Sequence, residues 1–189
     1  MKKIVVMLLC LALLGCCAAY AETPEKELLG AVNVNGAFNI KCKMPEGYKL
    51  SILESSSDYI IAVVASEDET KPGLTLSVAF NDSYTQDGKA MRLNDLSEEE
   101  ILMIKESFMD TADEVSFEDG MTAYGTKVII VKGTISDINF VEVYSVYNSY
   151  EVEILAAAGK GAEEKKLTDK QIQMIIDFLS DMDFEVVTG

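Results

Sequence analysis

The chain has 189 residues, of which 49% are hydrophobic, and this length and composition suit about one globular domain. Acidic residues outnumber basic residues by 32 to 16, and such an excess of negative charge repels phosphate backbones, which argues against nucleic-acid binding. Histidine is absent, which excludes histidine-ligated zinc and the usual Ser-His and Cys-His catalytic arrangements.

The N-terminal residues have the features of an export signal. Two lysines precede an apolar run that is too short to span a bilayer, and Ala19-Tyr20-Ala21 offers the small residues that signal peptidase favours. We therefore predict a signal peptide over residues 1–21, cleaved after Ala21. The predicted location is extracytoplasmic, either secreted or periplasmic.

A second interpretation of the same segment is lipidation. Leu13-Leu14-Gly15-Cys16 resembles the lipobox of bacterial lipoproteins, in which the cysteine is lipidated and becomes the mature N-terminus. Under this alternative the protein contacts a membrane only through a lipid anchor on Cys16.

If cleavage follows Ala21, only Cys42 remains and no intramolecular disulfide is possible. Cys42 alternates with Phe38 and Ile40, which favours a buried structural thiol over a nucleophile.

The first half of the mature chain is predicted to be rich in strands. Residues 22–35 are predicted to be a linker, because the segment is mixed in character and Gly30 argues against a stable helix. Alternating and apolar runs then predict strands over 38–44, 48–53, 59–65 and 74–80. Pro45 and Gly47 form the corner between the first two of these strands.

A polar stretch from Asn81 to Asp95 follows the fourth strand. It contains the turn signal Asp87-Gly88 but fails the twelve-residue calcium-loop pattern, because Asn94 stands where a glutamate should close the site. We interpret the stretch as an ordinary surface loop.

The first helix is predicted to begin after this loop. Ser97 and Glu100 form a capping box, and the apolar stripe that follows predicts a helix to about Asp110. Met103 and Met109 are interpreted as core gap-fillers rather than as ligands of a soft metal.

The second half of the chain opens with further strands. Val115 and Phe117 predict a short strand that turns at Asp119-Gly120, and Met121–Val131 predicts the next one. The segment from Gly133 to Asp137 is predicted to be the turn that leads into the following hairpin.

The strongest β signal is the stretch from Ile138 to Ala158. Aromatic and β-branched residues alternate on both sides of Asn148-Ser149, which predicts a hairpin at the centre of an antiparallel sheet. We interpret Tyr144, Tyr147 and Tyr150 as cross-strand packing pairs, with a ligand-facing or partner-facing patch as the alternative.

A second helix is predicted near the C-terminus. Thr168 and Gln171 form its capping box. Its apolar stripe contains Ile172, Ile175, Ile176 and Leu179.

This order of strands, helix, strands and helix predicts an α+β fold. We expect a mainly antiparallel sheet of about 6–8 strands with helices packed on it, in a single domain over residues 36–187. The Pro45, Gly47 and Tyr48 corner, followed by this element order, resembles the PsbP-like family, which includes DcrB-like bacterial envelope proteins. The resemblance implies an αβα sandwich and an accessory or binding role without shared catalytic residues.

The function predicted from these features is that of an exported, non-catalytic binding or accessory domain of a bacterial cell envelope. Its partner is a protein or small molecule that the sequence does not identify, and no catalytic residue, cofactor or metal ligand is assigned. One alternative is a hydrolase that uses paired carboxylates. Its candidates are Asp110, Asp113, Glu114, Glu118 and Asp119. The other alternative is calcium binding around Asp82–Asp87 or Asp110–Asp119.

Overall fold

A computed structural model of the chain describes residues 28–33, 37–41, 44–55, 59–110, 112–122, 125–135, 138–163, 165–180 and 183–186. The predicted signal peptide, its cleavage site after Ala21, the lipidation candidate Cys16 and the thiol of Cys42 lie outside these residues. Within them, the predicted α+β fold is confirmed, because a seven-stranded antiparallel sheet is accompanied by two α-helices.

The described strands, in chain order, are β1 (Leu28–Asn33), β2 (Ala37–Lys41), β3 (Tyr48–Ser55), β4 (Tyr59–Ser66), β5 (Gly73–Phe80), β6 (Thr85–Gln86), β7 (Lys89–Ala90), β8 (Glu114–Met121), β9 (Lys127–Ile135), β10 (Ile138–Tyr147), β11 (Tyr150–Ala157) and β12 (Asp183–Val186). The α-helices are α1 (Glu98–Met109) and α2 (Asp169–Ser180). Short 3₁₀ helices span Asp82–Tyr84 and Leu93–Asp95.

The predicted central hairpin lies in the middle of the large sheet. The strand order is β3-β4-β5-β11-β10-β9-β8, so that β11 is the fourth of seven strands and β10 lies beside it. The pairing of β10 with β11 runs without a break to Tyr147 opposite Tyr150. Asn148 and Ser149 have φ angles of 49° and 68°, both in the left-handed region that a type I′ hairpin turn requires.

A hydrophobic cluster covers each face of the sheet, and each cluster includes residues of one helix. On one face Val141 and Val143 of β10 pack with the predicted stripe of α2. On the other face Phe140 and Tyr144 of β10 pack with Ile104 and Phe108 of α1. Because alternate residues of a strand point to opposite faces, the two helices lie on opposite sides of the sheet.

Both predicted capping boxes are present. The Glu100 amide donates to Ser97 Oγ at 3.3 Å, and the Ser97 amide donates to Glu100 Oε2 at 2.7 Å. Hydrogen bonds from Ser97 lower the pKa of the Glu100 carboxyl. At the second helix, Thr168 and Gln171 make the equivalent pair of bonds at 2.8 and 3.3 Å. Each helix therefore begins where the sequence predicts.

The structure differs from the prediction at two glycines that were interpreted as turns. Gly120 lies inside β8, opposite Val128, where a Cβ would come within 2.8 Å of the valine Cγ2 atom. Gly133 lies inside β9, where a Cβ would come within 2.8 Å of the Phe140 ring. At these positions glycine makes room for a large cross-strand neighbour. The turn between β8 and β9 instead contains Gly125, which has a φ angle of 77°.

The structure also places a strand inside the segment predicted to be a linker. Leu28–Asn33 form β1, which pairs with β2, and β2 pairs in turn with β12. β1 takes its partner from the next strand, whereas β2 also pairs with residues far along the chain, and the local composition of 22–35 reveals neither pairing. The result is a three-stranded sheet in addition to the large one.

Candidate functional site

The exposed side of α1 differs from the prediction that its apolar residues fill the core. Ile104 and Phe108 are buried as expected, but Leu102 and Met109 are 52% and 54% exposed. Met103 is 56% exposed, so the interpretation of Met103 and Met109 as core gap-fillers is wrong. The reason is that the sheet covers only the face of the helix that carries Ile104 and Phe108.

A cleft of about 750 Å³ lies between the N-terminal part of α1 and the strands β8 and β9. Leu102 lines it from the helix, and Met121, 58% exposed, lines it from the end of β8. Leu93, which is buried, and Ile129 also contribute to the lining. The volume is within the range of about 300–1,000 Å³ that is usual for sites that bind small molecules.

An ion pair joins the two sides of this cleft. Lys105 Nζ of α1 donates to Asp119 Oδ1 of β8 at 2.7 Å, and both residues line the cleft. Because the Asp119 side chain is mostly exposed, the pair contributes little to stability. It does place one cation and one anion beside apolar side chains, where they can orient a polar group of a ligand.

A second cavity, of about 430 Å³, lies where β8, β9 and β10 meet the start of α2. Glu114 and Ser116 of β8 line it together with Lys132 and Lys166. At the start of α2 the Gln171 amide donates to Thr168 Oγ1 at 3.3 Å, and Lys132 is paired with Glu118 at 2.7 Å. Of the charged residues that line this cavity, Lys132 is therefore already neutralised by a partner.

A partly buried hydrogen-bond network connects the central hairpin to the loop before α1. Tyr144 is fully buried, and its hydroxyl lies 2.9 Å from the Tyr84 hydroxyl and donates to Glu151 Oε1 at 2.9 Å. Burial, and then the charge of Glu151, raise the pKa of Tyr144 above its ordinary value. Tyr144 therefore remains protonated and acts as a donor, which is a structural role.

The three hairpin tyrosines are mainly packing residues. Tyr144 and Tyr150 are buried, and Tyr150 packs edge-on against Phe80 at 5.4 Å between ring centroids. Tyr147 is half-buried, and the Arg92 guanidinium lies 4.8 Å from its ring centroid. This arrangement supports the packing interpretation for Tyr144 and Tyr150 rather than a partner-facing patch.

The loop interpreted as an ordinary surface segment is bound to the tip of the hairpin. The Asn81 amide donates to the Ser149 carbonyl at 2.9 Å, and the Ser149 amide donates to the Met91 carbonyl at 3.0 Å. Ser149 Oγ donates to the Tyr84 carbonyl at 2.6 Å. These bonds satisfy a buried turn, which explains why a polar loop lies against the sheet.

One buried carboxylate, Glu142, was not predicted from the sequence. Glu142 is only 5% exposed and lies on the same face of β10 as Phe140 and Tyr144, paired with Val131 and Leu155 of the neighbouring strands. The signal was present in the sequence, since the alternation of β10 places Glu142 between those two aromatic residues.

The carboxylates proposed for a hydrolase are spread over the surface around β8. All five are exposed: Asp110, Asp113, Glu114, Glu118 and Asp119. Glu118 and Asp119 are each paired with a lysine. Glu114 lines the smaller cavity, whereas Asp119 lines the larger cleft. The structure therefore does not bring Glu114 and Asp119 together in one of these cavities.

The described residues of the two regions proposed for calcium show no cluster of acidic ligands. In the 3₁₀ helix at Asp82–Tyr84, the Asn81 side chain accepts from the Ser83 amide at 3.1 Å, which is an ordinary helix cap. Across the described residues, no group of three or more aspartate, glutamate or cysteine side chains could hold a metal ion.

No protein-family model matches the chain, and no curated protein sequence matches it either. Within the part of the chain that the structure describes, neither α-helix has the length and apolar character needed to cross a bilayer.

Proposed function

We propose that the chain is an exported, non-catalytic binding domain that holds an apolar group of its ligand in the cleft between α1 and β8. The observation that supports this proposal is the pair of exposed apolar side chains, Leu102 and Met121, on opposite walls of a cleft of about 750 Å³. Exposed apolar side chains that face one another across a concave surface are typical of binding sites.

The cleft is tested with Nile red, a neutral dye that fluoresces in apolar surroundings. We expect saturable binding to the wild-type protein and a dissociation constant at least tenfold higher for Leu102→Asp, because the new carboxylate must lose water when the dye occupies the cleft. Met103→Asp is the matched control. Met103 is adjacent and equally exposed but does not line the cleft, so this variant should bind within about twofold of wild type.

Two outcomes would contradict the proposed site. One is the absence of saturable dye binding to the wild-type protein. The other is equal weakening by Leu102→Asp and Met103→Asp, which would mean that the dye senses the general surface of α1 and not the cleft. Circular dichroism of each variant establishes that the fold is retained.

The extracytoplasmic location is part of the same proposal. It is supported by the lysines, apolar run and Ala19-Tyr20-Ala21 motif of the first residues and by the resemblance of the Pro45-Gly47 corner to PsbP-like envelope proteins. We expect the intact mass of the exported protein to correspond to a chain that begins at Glu22. A diacylglyceryl mass on Cys16 would instead establish the lipid anchor and overturn cleavage after Ala21.

A further inference from the structure

The last strand of the large sheet, β8, has only one partner strand. It pairs with β9 from Glu114 opposite Thr134 to Met121 opposite Lys127. No other described strand pairs with its outer side, because β8 ends the order of the seven-stranded sheet. An edge strand of this kind presents backbone amides and carbonyls that can pair with a further chain.

Apolar side chains border this open edge on the α1 side of the sheet. Leu102, Lys105 and Met109 have the i, i+3, i+7 spacing of a single helix face. That face is turned toward β8, since Lys105 pairs with Asp119 at 2.7 Å. Leu102, Met109 and Met121 are all more than half exposed, and we call these three residues the apolar border.

The α2 side of the same edge is polar and carries acidic groups. Glu114, Ser116 and Glu118 alternate along β8 with residues that face α1. Glu118 is paired with Lys132, and Glu114 is exposed. Lys166 and Asp169 also line the smaller cavity on this side. The net charge of the whole protein is −16. The protein as a whole therefore attracts basic partners.

We propose that β8 is a docking strand for an extended peptide in which apolar and basic residues alternate. The inference rests on the proposed function and names the chemical class of its partner. Backbone hydrogen bonds to β8 supply the pairing. The apolar side chains of the peptide lie against the apolar border, and its basic side chains lie on the face of Glu114 and Glu118.

Charge disfavours a second copy of this chain as the occupant. When two β8 strands pair antiparallel about a twofold axis at Ser116, Glu114 of each copy lies opposite Glu118 of the other. Like charges opposite one another across strands destabilise the pairing. A basic peptide meets the same side chains with opposite charge.

The test uses a blocked, fluorescently labelled peptide of eight residues in which valine and lysine alternate, titrated by anisotropy. Two control peptides accompany it: one has glutamate in place of lysine, and one has alternate backbone amides methylated. We expect the valine-lysine peptide to bind at least tenfold more tightly than either control, because the first lacks positive charge and the second lacks donors for β8.

Two variants of the protein locate the site. Glu114→Lys should weaken binding of the valine-lysine peptide at least fivefold. Glu46→Lys makes the same change in net charge at an exposed position just before β3, the opposite edge strand, and should change binding less than twofold.

Equal binding of the three peptides, or equal weakening by Glu114→Lys and Glu46→Lys, would overturn the docking strand. Concentration-dependent dimerisation in analytical ultracentrifugation that Glu114→Lys alters would identify a second copy as the occupant and would also overturn it. None of these results decides whether Nile red binds in the cleft, because that is measured separately with Leu102→Asp. Failure of the docking strand can therefore be distinguished from failure of the proposed cleft.

Discussion

Gly159→Ala is expected to destabilise the protein by about 3 kcal/mol, because a side chain there collides with backbone atoms. Gly159 is buried after the end of β11 and packs against the loop that contains Glu69 and Lys71. A Cβ at this position would lie 2.9 Å from the Thr70 carbonyl carbon and closer still to the carbonyl oxygens of Glu69 and Lys71. Backbone cannot rotate away as a flexible side chain can, so the two loops must separate.

Gly161→Ala is the matched control for this prediction. Its Cβ would meet the backbone of Glu69 at 3.5 Å, which is ordinary contact, and the Gly161 amide keeps its hydrogen bond to the Glu69 carbonyl. Neither Gly159 nor Gly161 has a positive φ angle, so the comparison isolates steric collision from backbone conformation. Urea unfolding should show a large loss of stability for Gly159→Ala and a change within about 0.5 kcal/mol for Gly161→Ala. Equal stability of the two variants would contradict the close packing of these loops.

Much of the fold could be predicted because its signals are local. The turn at Asn148-Ser149 and the alternation on both sides of it identify the hairpin. The capping boxes at Ser97 and Thr168 mark the starts of both helices, and each motif consists of residues only three positions apart. These features depend on neighbours within one turn or one strand, and the sequence contains all of those neighbours.

Two of the wrong predictions concern glycine, because the same residue serves two purposes in this fold. Gly125 has a positive φ angle and makes a turn, whereas Gly120 and Gly133 lie in strands beside Val128 and Phe140. The difference depends on the cross-strand neighbour, and that neighbour is known only when the register of β8, β9 and β10 is known. A sequence pattern therefore shows where glycine occurs but not which of the two purposes it serves.

The candidate site could not be predicted for a related reason. Helical spacing separates Leu102 from Ile104 by two residues, about 200° of rotation, so that Leu102 and Met109 lie on a different face of α1 from the buried Ile104. Whether the sheet also covers that second face depends on how far β8 extends beneath the helix, which is a tertiary property. Leu102 and Met109 are exposed because the sheet ends at β8, and the same ending creates both the cleft and the open edge.

Replacement of Tyr144 is expected to give the other large loss of stability, and two variants separate its causes. Tyr144→Ala should cost about 4 kcal/mol, because it removes a fully buried ring that packs edge-on against Phe108 at 5.8 Å. Tyr144→Phe keeps the ring and should cost about 1–2 kcal/mol, because Glu151 then loses the shorter of its hydrogen bonds to the two tyrosines.

A double-mutant cycle with Tyr84→Phe tests whether the network acts as a unit. The two hydroxyls lie 2.9 Å apart, and both contact the same carboxylate oxygen of Glu151, so the two substitutions should not be additive. We expect a coupling energy of about 1 kcal/mol from urea unfolding of the four proteins. Binding of Nile red should remain within about twofold of wild type for Tyr144→Phe, since Tyr144 does not line the cleft. A Tyr144→Phe protein as stable as wild type would show that the Tyr144 hydroxyl adds nothing to the stability of the hairpin. Strict additivity would show that the two hydroxyls contribute independently and not as a unit.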